Sequence, residues 1–158
     1  AGARSAATTG TTAATTNLYV SDTMIHKNIT GIRVSSTSGF ASADIKNCVI
    51  ENNTTGVDAA SNNSFVTVDG SRISNNSSNG VIASVSGANL TVKDSTLLHN
   101  GTAINAAAGS LVKALSNGVI FNNIGFGGTT AQIQTDGQNR NVGNVTPGAP
   151  GGGAVTVH

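Results

Sequence analysis

Apolar residues recur along this chain in a fixed frame that carries no helical stripe. The frame is clearest in Val92-Lys93-Asp94-Ser95-Thr96-Leu97-Leu98-His99-Asn100-Gly101. The same frame, with other side chains, runs from Val20 to Asn28, Ile45 to Asn53, Val68 to Asn76 and Leu115 to Asn123. The closing asparagines are Asn28, Asn53, Asn76, Asn100 and Asn123, a period of about 23 to 25 residues. A repeat of that length is one supersecondary unit, which buries its apolar face only by stacking on a neighbour.

Each repeat predicts three short strands. The first alternates apolar and polar positions: Leu18-x-Val20, Ala43-x-Ile45, Val66-x-Val68 and Leu90-x-Val92. A period of two points these residues inward and their neighbours outward. A bend follows at Asp22, Asn47, Gly70, Asp94 and Asn117, residue types that supply turn chemistry. The second strand carries Ile25, Ile50, Ile73, Leu97 and Ile120. After the Asn and a short turn, with Gly31, Gly56 and Gly80 in the first three repeats, comes the third strand. Its inward pairs are Ile32-x-Val34, Val57-x-Ala59, Val81-x-Ala83 and Ile104-x-Ala106.

Three strands per repeat, no helix and β-branched inward residues predict an all-β fold, a single-stranded parallel β-helix of five to six coils. Stacked Asn side chains are expected to bond to one another and to backbone amides, and to accept the left-handed backbone of a tight bend. A leucine-rich repeat needs L-x-x-L-x-L before its Asn, and the frame here is V-x-V-x-x-x-x-I-x-x-N. Neither a strict hexapeptide period nor a calcium-binding G-G-x-G-x-D nonapeptide is present.

The turns Asn52-Asn53-Thr54-Thr55-Gly56 and Asn75 to Gly80, and the closing segment Asp136 to Asn144, resemble those of right-handed parallel β-helix repeat proteins of bacteria, in the pectate-lyase-like superfamily. That resemblance implies a right-handed coil over residues 18–145 and an extracellular or cell-surface setting. It implies no single activity, because the superfamily hosts lyases, hydrolases, adhesins and tail fibres. Residues 1–17 read as an N-terminal lead or a partial edge coil. Residues 146–158, which include Pro147, Pro150 and the run Gly151-Gly152-Gly153, read as a tail of linker composition.

Charged residues make up 9% of the chain, far below the roughly 25% of an ordinary domain. Net charge is +1, without a basic cluster, so phosphate-tracking nucleic-acid binding is not expected. No apolar run approaches the roughly 18 residues of a membrane span. The single cysteine, Cys48, falls in a row with Thr23, Ser71, Ser95 and Gly118 and reads as a small core residue. His26, His99 and His158 do not cluster in this frame, so neither a metal site nor a cofactor is expected.

In the repeat frame most charges find structural partners. Lys46, Asp69 and Lys93 share an outward column, Arg33 faces Asp58, and His26 lies over Glu51. The candidate functional face is the outward side of the first strands, with Asp44, Lys46, Asp69 and Lys93 on it and Asp22 and Asp94 at the adjoining bend. Asp44 and Asp69 are diagonal neighbours, compatible with a glycosidase carboxylate pair about 5–9.5 Å apart. Two ammonium groups beside a carboxylate favour its ionised form, whereas a general acid must carry a proton. No Trp and one Tyr leave little to stack on a sugar.

The reading favoured is a non-catalytic structural or surface protein. Its low charge and lack of a clear capping element at either end predict self-association through the terminal coils. The alternative is a glycan-binding or glycan-cleaving β-helix with a polysaccharide partner.

Overall fold

The computed structural model describes residues 3–7 and 15–155. His158 lies outside them. The chain winds through three parallel sheets of six strands each. The first-strand sheet holds β2 (Thr15–Ser21), β5 (Phe40–Lys46), β8 (Ser64–Asp69), β11 (Asn89–Lys93), β14 (Leu111–Leu115) and β17 (Ile133–Thr135). The second-strand sheet holds β3 (Met24–His26), β6 (Val49–Glu51), β9 (Arg72–Ser74), β12 (Thr96–Leu98), β15 (Gly118–Ile120) and β18 (Arg140–Val142). The third-strand sheet holds β1 (Ala3–Ala7), β4 (Thr30–Ser36), β7 (Thr55–Ala59), β10 (Asn79–Ala83), β13 (Thr102–Ala106) and β16 (Ile124–Gly128). Every strand pairs with the one a full coil away, so this is the β-solenoid of about six turns that the repeat predicts. At about 4.8 Å per coil the stack is roughly 25–30 Å long.

Alternation places the core. Ile45, Val68 and Val92 point inward from the first sheet, Ile50, Ile73 and Leu97 from the second, and Ile32, Val57, Val81 and Ile104 from the third, all at most 1% exposed. Each such side chain contributes about 1.5–3 kcal/mol on burial. Phe126 closes the third-strand column in the fifth coil and is buried against it.

Two bends per coil carry the left-handed backbone. The first is at Asp22, Asn47, Gly70, Asp94 and Ser116, the second at Lys27, Asn52, Asn75, His99 and Phe121. The strained residue at the second bend is therefore the one before the ladder Asn, not the ladder Asn itself. Asn and Asp tolerate this region; for Lys27, His99 and Phe121 it costs about 1–2 kcal/mol, borne because the flanking bonds fix the turn.

Those bonds form a ladder. The Asn28 N–H donates to Asn53 Oδ1 at 3.0 Å, Asn53 N–H to Asn76 Oδ1 at 3.1 Å, and Asn76 N–H to Asn100 Oδ1 at 3.1 Å. From Asn53 on, each Nδ2 also reaches back to a carbonyl of the preceding coil, as Asn76 Nδ2 does to Ile50 O at 3.2 Å. The column is tight: a Cβ on Gly56 would lie 2.5 Å from Gly80 O and 3.1 Å from Asn76 Nδ2.

The fifth rung departs from expectation. Asn100 N–H donates to Asn122 Oδ1 at 2.9 Å, and Asn122 N–H to Asn144 Oδ1 at 2.6 Å. Asn123, expected in the ladder, is exposed. The fifth coil is one residue shorter than its predicted frame, so Val119 faces inward where Ile120 was expected, and Leu97 stands over Val119. The bend accordingly falls at Ser116 and not at Asn117. Asn117 joins the row of small residues in place of Gly118.

That row is a second ladder, at the first bend. Cys48 N–H donates to Ser71 Oγ at 3.0 Å, Ser71 N–H to Ser95 Oγ at 3.0 Å, Ser95 N–H to Asn117 Oδ1 at 3.1 Å, and Asn117 N–H to Asn139 Oδ1 at 3.0 Å. Cys48 is buried within it, its thiol donating to Lys46 O at 3.3 Å. Beyond Asn117, burial raises the Asp136 pKa, but hydrogen bonds from the Gln138 N–H and from Ser116 Oγ and N–H outweigh that and hold it below the 3.8 usual for an aspartate.

Both ends differ from a bare solenoid. β1 pairs in parallel with β4, one third of a coil ahead of β2. At the other end residues 146–155 do not behave as a linker. Gly125 and Phe126 N–H donate to Thr146 O and Pro147 O at 2.9 and 3.0 Å. Gly152 N–H donates to Ile133 O at 2.9 Å and Val155 N–H to Thr135 O at 2.9 Å.

Asn76→Ala and Asn122→Ala each strip a partner from a buried backbone amide and are expected to cost about 1–3 kcal/mol in denaturant unfolding. Asn62→Ala and Asn123→Ala, both at exposed side chains, should stay within about 0.5 kcal/mol of the parent. Equal midpoints across the four would refute the ladder.

Candidate functional site

The outward side of the first-strand sheet is an open surface. Among the described residues the connections to it from the third strands are short, spanning 37–39, 60–63, 84–88, 107–110 and 129–132. None is long enough to wall a deep cleft. Register places Lys46 beside Asp69 and Asp69 beside Lys93 on successive strands. Lys93 Nζ lies 3.1 Å from Asp69 Oδ2, and no ion pair joins Lys46 to Asp69 among the described residues. Asp44 stands in the adjacent column between Tyr19 and Thr67, diagonal to Asp69.

Among the described residues two further ion pairs lie on the other sheets. Arg33 Nη1 is 3.3 Å from Asp58 Oδ2, and Arg72 Nη1 is 3.3 Å from Glu51 Oε2. His26 does stand over Glu51 in the register, yet Glu51 takes Arg72 on its other side as partner. Such half-exposed pairs are worth about 0.2–1 kcal/mol and tie adjacent coils together. Among the described residues no three His, Cys, Asp or Glu side chains converge as a metal-binding group. No helix there is long and apolar enough to cross a membrane.

One feature of this face escaped the sequence reading. Phe40 and Phe65 both project outward, 47% and 45% exposed, with ring centroids 6.0 Å apart. Beside them a shallow depression of about 230 Å³ is lined by Phe65, Asn89, Thr91, Leu111 and Lys113. The parity was available: Phe40 alternates with Ser42, Asp44 and Lys46, and Phe65 with Thr67 and Asp69, all outward.

The arrangement offers paired charges, hydroxyls, amides and two phenyl rings on a flat lattice with about 4.8 Å between rows. It can contact an extended polar ligand.

The family model described as the right handed beta helix region matches residues 7–146. The chain belongs to that family, which gives the solenoid its hand. No curated protein and no solved structure matches it.

Incubation with pectin, alginate or hyaluronan is expected to release no unsaturated or reducing-end products. Product formation that Asp69→Asn abolishes would contradict this.

Proposed function

We propose that this chain is a non-catalytic structural protein, extracellular or on the surface of a bacterial cell, whose rods join end to end. One observation supports the reading: among the described residues, the first and last rungs of the hydrogen-bond ladders leave complementary groups unfilled. From Asn28 in one ladder and Cys48 in the other, each rung donates its N–H to the next coil toward the C-terminus. At the last coil, among the described residues, Asn139 and Asn144 N–H have no acceptor. They flank β18, the open edge of the second-strand sheet. At the first coil, among the described residues, nothing donates to Asn28 Oδ1 or to Thr23 Oγ1. These flank β3, the other open edge of the same sheet. A strand edge with unpaired groups is a template for another strand, and a head-to-tail contact that does not close propagates as a filament. A net charge of +1 gives little repulsion against it. The likeness of the turns to those of exported bacterial repeats supports the location.

Prolonged incubation at high concentration and neutral pH, followed by light scattering and electron microscopy, tests the reading. Linear species that lengthen with concentration and persist in salt are expected, and Leu18→Lys on the first coil should prevent them. A persistent monomer of 15.6 kDa without fibres contradicts it.

A second reading, polysaccharide binding on the first-strand face, is favoured by the Phe40–Phe65 pair beside its depression. Retention on insoluble neutral polysaccharide, lost in the Phe40→Ala/Phe65→Ala double variant while assembly is unchanged, supports it. Equal elution of the two proteins excludes it.

A further inference from the structure

The C-terminal segment occupies places that a second copy would otherwise fill. Counted along the axis, Thr146 bridges Ile124 in parallel, one row beyond β16 in the third-strand sheet, and Ala154 bridges Thr135 in parallel, one row beyond β17 in the first-strand sheet. Among the described residues the second-strand sheet receives no such addition, and β18 is its edge. At the other end the chain runs through the same sheets in the same order: β1 in the third-strand sheet, then β2 in the first, then β3 in the second. If β3 of a second copy adds to β18, its β1 arrives at the row held by residues 146–148 and its β2 at the row held by residues 151–155. Tail and incoming copy agree in sheet, row, direction and chain order, and only one of them fits.

We propose that residues 146–155 are an internal plug, a stand-in for the N-terminal strands of a second copy, and that filament growth proceeds by their displacement. This rests on the end-to-end reading above. The tail is held through backbone bonds and brings only small residues to the inward columns. In the inward columns it places Gly148 over Phe126, and Gly152 and Ala154 over Ile133 and Thr135. The incoming copy brings Leu18 and Val20, half-buried in the free chain, to those first-strand positions. Prolines at 147 and 150 remove two further donors from the tail.

The second-strand side is left ready for the exchange. A cavity of about 220 Å³ opens at this end, lined by Phe126, Thr135, Asn139, Asn141, Gly148 and Pro150. Asn141 stands in the inward column that Ile25, Ile50, Ile73, Leu97 and Val119 fill in earlier coils. Its Nδ2 donates to Pro147 O at 3.2 Å and Gly148 O at 3.3 Å, fastening the tail beside the cavity. In the joined state Ile25 of the second copy takes the place above Asn141. Asn139 and Asn144 N–H then meet Thr23 Oγ1 and Asn28 Oδ1 of that copy, which fills the last rung of each ladder.

Two full-length variants test this. Gly148 has φ +61, and a Cβ there would run into the Phe126 carbonyl, so Gly148→Val expels the tail. Thr135→Cys/Ala154→Cys joins bridged neighbours at a separation a disulfide spans, and oxidation locks the tail down. Growth followed by light scattering should be on the order of tenfold faster for Gly148→Val than for the parent. It should be absent for the oxidised double-cysteine variant and restored on reduction. Assembly of the parent, the Gly148→Val variant and the oxidised form at one rate overturns the plug and leaves end-to-end assembly standing. No assembly of any form, including the reduced one, overturns both. Should circular dichroism find Gly148→Val unfolded, the oxidised and reduced forms decide alone: growth on reduction supports the plug, and equal behaviour rejects it.

Discussion

The backbone amides at the two bends set the terms for the rest of this molecule. A strand amide finds its acceptor in the strand alongside. The amide of the residue that follows a left-handed bend does not, and left buried and unpaired it costs about 1–3 kcal/mol. Here the acceptor is the side-chain oxygen of the residue one coil further on, Asn at one bend and Ser or Asn at the other. Every coil thus depends on the next for a partner, and the strand register follows from the ladders. The same dependence fixes the small residue beneath each Asn and forces Phe121 into a left-handed conformation, where its ring stacks on His99 at 6.1 Å.

A structure stabilised coil on coil has little use for surface charge. Among the described residues three cross-coil ion pairs take up six of the fifteen charged side chains, and Thr, Ser and Asn supply the outward polarity. Short connections leave the sides open and flat. Among the described residues, the unfilled rungs of the two ladders lie around β3 and β18, and the proposed function therefore rests on these coils and not on the first-strand face.

Much of this was legible from periodicity alone. The inward columns and the column of Lys46, Asp69 and Lys93 follow once the repeat is in frame, because a period of two leaves no other face. The fifth coil was misframed for a physical reason: Val119-Ile120 and Asn122-Asn123 are doublets of like residues, so either member satisfies the pattern. Packing chooses, since the inward place takes Val119 and sends Ile120 outward. Residues 146–155 read as a linker because Gly and Pro carry no periodic signal. Their bonds run through backbone carbonyls, which composition does not report. Phe40 and Phe65 were missed because aromatic scarcity drew attention to Trp and Tyr, although their outward parity was written in the strands.

Residue-resolved amide hydrogen exchange bears most directly on the claim that the ladders hold the coils and stop unfinished. In the free chain the Asn53, Asn76 and Asn100 amides should be among the slowest to exchange, while Asn139 and Asn144 exchange as fast as an exposed amide. On assembly those two should become protected. Protection of Asn144 already in the monomer, or an Asn76 amide that exchanges as fast as that of Asn62, would contradict the claim.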